Sequence, residues 1–152
     1  RQTTFKIYLT NPSLRCALFE PVKIIDGNIG DMIETAIYSQ WIPRNDHIAY
    51  ANWKVGRTQG EVDLVGINDA FQKPYWAVEI KWTDRFFDRP TELSSLKYFM
   101  EKNQLQQALV TSISQAGLKE TSFGRLLFIP SACYAYTVGE NTLRQAKKSF
   151  GL

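Results

Sequence analysis

Residues 59–82 read QGEVDLVGINDAFQKPYWAVEIKW. Two short apolar runs, EVDLVGI (61–67) and PYWAVEIKW (74–82), flank the polar turn NDAFQK (68–73). Runs of this length, rich in β-branched and aromatic residues and bounded by turn residues, predict a pair of β-strands. Large apolar side chains on both runs predict that the strands are central in a sheet. Yet each run carries charge in its middle: Glu61 and Asp63 in the first, Glu79 and Lys81 in the second. Any fold for this chain has to accommodate three carboxylates and an amine within two core strands.

Strand side chains alternate between faces. On the second run Trp76, Val78, Ile80 and Trp82 share one face, while Ala77, Glu79 and Lys81 share the other. Glu79 and Lys81 are then about 6.6 Å apart along the strand. On the first run Val62 and Leu64 face one way, and Glu61, Asp63 and Val65 the other. Pairing through the 68–73 turn lets Asp63 and Glu79 meet on one face beside Lys81. Carboxylates gathered in a poorly solvated place repel one another and shift their pKa values. A divalent cation relieves that repulsion, and magnesium prefers a few carboxylates completed by water and phosphate oxygens. A lysine beside such an ion is placed to orient a water or to stabilise charge developing on a phosphate.

The rest of the chain supplies the frame. Phe5–Leu9 alternates as a short strand or extended entry. TNPSLRCALFEP reads as a short helix capped by Asn11, with Pro12 at its first position and Pro21 after its end. Asn28 caps a longer helix, NIGDMIETAIYSQWI, whose apolar residues Ile29, Met32, Ile33, Ala36, Ile37 and Trp41 form one stripe. Glu34 lies on the border of that stripe and adds a further carboxylate if the helix packs near the cluster. Residues 47–55 form a strand, with His47 as a polar residue at its start, and 56–60 a turn. Residues 83–90 are an irregular connection, 91–103 a helix with Leu93, Leu96, Phe99 and Met100 on one side, and 106–113 and 125–130 strands. ACYAYTV (132–138) reads as a further strand or extended edge, and the basic tail as a segment open to forming a short helix. The expected fold class is α/β: an αβββαβ order with a mixed central sheet flanked by helices and a C-terminal β addition.

Composition sets bounds. The chain has 152 residues, 44% hydrophobic and 22% charged, which is the size and make-up of one globular domain. A net charge of +3 is compatible with a polyanionic partner without demanding one. The two cysteines, Cys16 and Cys133, are far apart, and there is a single histidine, so a disulfide framework and a structural zinc site are disfavoured. Reduced thiols and the lack of any apolar run long enough for a membrane span fit a cytoplasmic protein with no membrane partner. There is no phosphate-binding GxxxxGK[ST] loop and no GxSxG elbow. Arg44, Lys54, Arg57, Arg85 and Arg89 flank the charged runs and are candidate phosphate contacts, although loop-borne cations are commonly just solvated.

The ordered set of a glutamate helix, an aspartate strand and an E-I-K strand, with 15 residues between Asp63 and Glu79, resembles the PD-(D/E)xK (restriction-endonuclease-like) nuclease superfamily. Within it, KIYLTNPSLRCALF, GNIGDMIETAIYSQWI, GEVDLV and AVEIKW are most similar to the C-terminal domain of unknown function attached to prokaryotic AAA-type ATPases. The likeness spans roughly Lys6 to Val138, and departs from the motif in having Val62 where a proline would precede the aspartate. It implies Glu34 as the helix-borne acid, Asp63 and Glu79 as ligands of Mg²⁺ or Mn²⁺, the carbonyl of Ile80 as a further ligand, and Lys81 as the catalytic lysine. The implied protein is a single domain over residues 1–152, a C-terminal fragment of a longer ATPase, that hydrolyses DNA phosphodiester bonds. The alternative is an inactive domain of that ATPase that binds nucleic acid or protein.

Overall fold

A computed structural model describes residues 7–19, 21–23, 27–44 and 48–150, with side chains to residue 148. The chain divides into two compact units, one of Arg1–Asn45 with Ala135–Leu152, the other Asp46–Tyr134.

The first unit is helical. Helix α1 (Pro12–Leu18) starts where Asn11 accepts the Ser13 N–H at 2.7 Å with Pro12 in the first turn, as its sequence predicts. Helix α2 (Ile29–Trp41) begins after Asn28, although that side chain makes no capping bond. Asp31 stands in its first turn, where the helix dipole favours an acid. Of the expected entry strand, residues 5 and 6 lie outside the described residues, and residues 7–9 are not in a strand.

The second unit carries the sheet. Strands β1 (Ile48–Val55), β2 (Thr58–Asn68) and β3 (Lys73–Glu79) form an antiparallel meander. His47 lies outside the described residues. The first turn is tighter than the spacing suggests: Gly56, at φ +61°, and Arg57 turn the chain, and Thr58 already pairs with Val55. Left-handed backbone at a two-residue hairpin is what glycine supplies. Past β3 come a short helix α3 (Arg85–Asp88), a 3₁₀ turn (Pro90–Glu92) and helix α4 (Ser94–Asn103). Strand β4 (Gln107–Ser112) then pairs parallel with β3, so α4 lies in a crossover connection.

Strand β5 (Gly117–Thr121) has no counterpart among the expected elements. It pairs antiparallel with β6 (Gly124–Pro130), which in turn pairs parallel with β4. The sheet order is β1-β2-β3-β4-β6-β5, a mixed six-stranded sheet in an α/β fold. The αβββαβ succession is present as α2, β1–β3, α4 and β4.

The strand expected at 132–138 is helical. Helix α5 runs Ser131–Phe150, so the β addition beyond β4 consists of β5 and β6 and does not extend to 132–138. Ser131, Tyr134 and Val138 are buried at spacings of three and four, while Tyr136, which a strand would place with Tyr134, is 69% exposed. Helical periodicity therefore overrides the strand preference of two tyrosines. The uncertain basic tail is the continuation of α5.

Leu93, Leu96, Phe99 and Met100 are buried on one side of the 91–103 segment, as the spacing predicts, and α4 packs them on β2 and β3. Val62, Val65, Ala77, Val110, Leu126 and Phe128 complete this core. Phe86 and Phe87, in the connection after β3, pack against it as well. Trp76 lies so close over Gly66 on the paired strand that a β-carbon there would come within 2.0 Å of the indole nitrogen.

Leu96→Ala should lower unfolding stability by about 2–5 kcal/mol, since the side chain is fully buried between helix and sheet. Leu118→Ala, at an exposed position of β5, should stay within about 0.5 kcal/mol of the parent chain. Urea denaturation of the two variants checks this, and equal losses would contradict the assigned core.

Candidate metal and phosphate site

The charged residues of β2 and β3 are held in the sheet by an irregularity. Along the β1–β2 ladder the register passes from Ala49↔Val65 to Ala51↔Val62, three steps on β2 against two on β1. The extra residue is a β-bulge at Asp63–Leu64. Bulges re-aim side chains and are common beside functional sites. Strict alternation would put Val62 and Val65 on opposite faces, but both join the core under α4. Leu64 and Val78 stand opposite one another, both buried, outside that core cluster.

β3 does not continue to Trp82. Its pairing with β4 ends at Glu79↔Val110, and Ile80, Lys81 and Trp82 leave the strand. The freed amide of Ile80 donates to Asp63 Oδ2 at 2.8 Å. The carboxylate of β2 thereby caps the end of β3, taking a hydrogen bond that a strand would otherwise supply. Asp63 and Glu79 are each only 5% exposed. Lys81 turns back on Glu79, with Nζ 2.8 Å from Oε1, and remains about one-third open to solvent. The structure thus brings Asp63, Glu79 and Lys81 together, as parity and the turn predict, although by way of a bulge and a strand end rather than two regular strands.

Burial is the largest influence on Glu79. Together with the neighbouring charge of Asp63, and more weakly that of exposed Glu61, it pushes the carboxyl up to about 7 against the partial counter-effect of Lys81. The second oxygen, Oε2, is buried with no hydrogen-bond partner among the described residues. An orphaned acceptor on an acidic group is what a proton or a hard cation satisfies. Among the described residues no group of three or more acidic, histidine or cysteine side chains is arranged around a single point. The residues here that could hold a hard cation are two carboxylates, Asp63 and Glu79.

The other expected site residues stand as follows. Glu34 lies on α2 in the helical unit, where the Tyr8 hydroxyl donates to it and Tyr8 stacks on Tyr38 at 4.0 Å. Ile80 engages the site through its amide. Arg85 and Arg89 both pair with Glu92, the latter at 3.5 Å, and Arg44 lies over the Trp41 ring at 5.0 Å. Lys54 and Arg57 are exposed.

Comparison with protein-family models, with curated proteins and with solved structures yields no match. The reading of this site therefore rests on its own geometry and on the ordered motif.

Three residues at the site lie outside the charged motif. Thr111, at the end of β4, is fully buried and bonds both backbone groups of Lys81: it accepts from the N–H at 2.8 Å and donates to the carbonyl at 3.0 Å. Ser131, also buried, has its hydroxyl 2.9 Å from the Ser112 carbonyl and 3.4 Å from that of Lys81. Asp84 accepts the N–H groups of Ile113, Ser114 and Gln115 at 3.0, 2.9 and 3.3 Å, and the Ser114 hydroxyl at 2.7 Å. Those bonds hold its carboxyl below the usual range. Nothing local in the sequence marks Thr111 or Ser131, because their partner becomes visible only once β4 lies beside the end of β3.

The raised carboxyl has a consequence for stability. Between Glu79's ordinary pKa of 4.5 and its folded value of about 7, the folded chain binds more proton than the unfolded one. Stability from this group is therefore present below pH 4.5, falls as pH rises to about 7 and is flat above. The size of the fall is on the order of 3 kcal/mol. In EDTA, Glu79→Gln should be more stable than the parent at pH 8 and should lack this slope. A parent chain equally stable from pH 4.5 to 7 would contradict the burial of a charged Glu79.

Proposed function

We propose that this chain is a divalent-metal-dependent nuclease domain that hydrolyses phosphodiester bonds, with DNA as substrate. The observation that carries the reading is the buried Asp63–Glu79 pair, with an unsatisfied Glu79 oxygen and the Lys81 ammonium on the other. Two carboxylates out of water beside an amine destabilise a fold unless they serve a ligand, and this pair suits Mg²⁺ or Mn²⁺. A bound ion of that kind supplies Lewis acidity to a phosphate oxygen and lowers the pKa of a coordinated water.

The chain's own contributions follow from placement. Asp63, at the bulge in the middle of β2, and Glu79, at the end of β3, would hold the cation, with the Ile80 carbonyl as a further candidate ligand. Lys81, partly open to solvent, orients the attacking water and offsets charge gathering on the phosphate in the transition state. Glu34 is the proposed helix-borne acid. Assignment to the PD-(D/E)xK superfamily is supported by the motif order and the αβββαβ succession, and attachment to an AAA-type ATPase by the sequence likeness alone. A second reading, a non-catalytic domain that docks protein, has one observation in its favour. Leu118 and Leu127 pair across β5 and β6 and are 58% and 42% exposed, with Ile113 at 45%.

Thermal unfolding with Mn²⁺ tests the nuclease reading. At a hundred times its dissociation constant a ligand of the folded state stabilises by about 2.7 kcal/mol. For a chain of this size that is a rise in Tm of roughly 5–10 °C. Asp63→Asn should lose the shift, and should lose Mn²⁺-dependent cleavage of labelled single- and double-stranded DNA. A parent chain that shows neither shift nor cleavage overturns the proposal.

A further inference from the structure

We infer that Thr111 is the positioning residue for Lys81, and that its hydroxyl stands in for the rung of β-ladder that is missing where β3 ends. The inference rests on the nuclease reading for its catalytic consequence, but its geometric content stands independently.

The parallel β3–β4 ladder closes at Glu79↔Val110. One residue later on β4, Thr111 turns its hydroxyl to the peptide of Lys81, accepting at 2.8 Å and donating at 3.0 Å. A hydroxyl has one proton to give and lone pairs to accept with, so a single Thr side chain satisfies both the N–H and the C=O of one residue. Here it does so fully buried, where an unpaired backbone group costs about 1–3 kcal/mol. The backbone of Lys81 is thus fixed by a side chain rather than by the sheet. Two neighbours lock the same segment. Ser131 bridges towards the carbonyls of Ser112 and Lys81 from the start of α5. Asp84 gathers three successive amides just past β4. Segment 80–84 is clamped to segment 111–115 by hydroxyls and a carboxylate.

The geometry has a functional meaning. In a strand that continued past Glu79, the ladder would fix Lys81 on Glu79's face about 6.6 Å along. With the strand ended, the Thr111 clamp takes over that duty, and the ammonium lies 2.8 Å from Glu79 Oε1. The clamp decides where that ammonium is relative to the carboxylates, and small misplacements of a catalytic group lower rates by up to about a hundredfold.

The test compares Thr111→Val, which keeps the shape and removes both bonds, with Thr111→Ser, which keeps the hydroxyl. Two readouts are independent of cleavage. Hydrogen exchange of the Lys81 amide should speed up in the valine variant while that of Val110 stays slow. Lys81 should also acetylate several-fold faster relative to Lys97, measured by competitive labelling and mass spectrometry, because its ammonium is no longer held on Glu79. The serine variant should match the parent in both. In Mg²⁺-dependent DNA cleavage, the valine variant should lose roughly tenfold to a hundredfold in kcat with KM little changed. If the valine chain does not fold, Thr111→Cys is the second variant, of nearly equal volume with a weak donor and acceptor. A folded Val or Cys variant whose Lys81 amide and labelling rate match the parent overturns the inference. A chain with altered labelling and an unchanged kcat overturns its catalytic part. A parent that cuts nothing overturns the nuclease reading alone, since labelling and exchange still decide the role of Thr111.

Discussion

The hydrogen bond from the Ile80 amide to Asp63 joins the fold to the site. It is the point at which a regular sheet gives way to the geometry of the candidate site. Without an acceptor there, the buried end of β3 would carry an unsatisfied N–H in the middle of a six-stranded sheet. Asp63 reaches that amide because the bulge in β2 re-aims it. The strand therefore stops at Glu79, Lys81 is released from strand alternation, and the ammonium turns back onto the carboxylate. One desolvated carboxylate performs a structural duty and at the same time raises the pKa of its neighbour. Removing it would disturb backbone pairing as well as charge, which makes Asp63→Asn, with its retained carbonyl acceptor, a cleaner probe than alanine.

Much of this was legible in the amino-acid order. Period-two patterning with Gly and Asn turns located the meander, and the spacing of Leu93, Leu96, Phe99 and Met100 located α4 and the face it buries. The crossover to β4 followed from a helix between two strands. The readable features are local in sequence. Three others are not. β5 is short, polar and at the sheet edge, so its five residues carry no strong pattern, and only pairing with β6 makes it a strand. Residues 132–138 alternate tyrosines as a strand would, and the fold overrides them, with Ser131, Tyr134 and Val138 buried at helical spacing. The bulge at Asp63 is a register event between two strands, and a single strand's sequence does not encode it.

The candidate site shows the same division. The partnership of Asp63, Glu79 and Lys81 was readable because all three flank one turn. The clamp of Thr111, Ser131 and Asp84 was not, because Lys81 and Thr111 are 30 residues apart and meet through a parallel ladder. Threonine and serine near strand ends are ordinary, and only the direction of a hydroxyl sets these apart. Glu34 is a separate matter. The helix that bears it was legible, and its hydroxyl partner Tyr8 belongs to the same helical unit.

The charge state of Glu79 connects stability to the proposed chemistry. A carboxyl pushed up to about 7 is held between two ways of satisfying its buried oxygen Oε2, a proton or a cation. Both compete for one acceptor, so affinity for the proposed cation would weaken as pH falls through that value. Above it the ionised pair repels and destabilises the fold, which is the condition that favours a divalent partner. Lys81 offsets part of the charge on Glu79 through Oε1, while Oε2 has no hydrogen-bond partner among the described residues. Because Thr111 holds the Lys81 backbone, the lysine is placed by the clamp as well as by the carboxylate it touches.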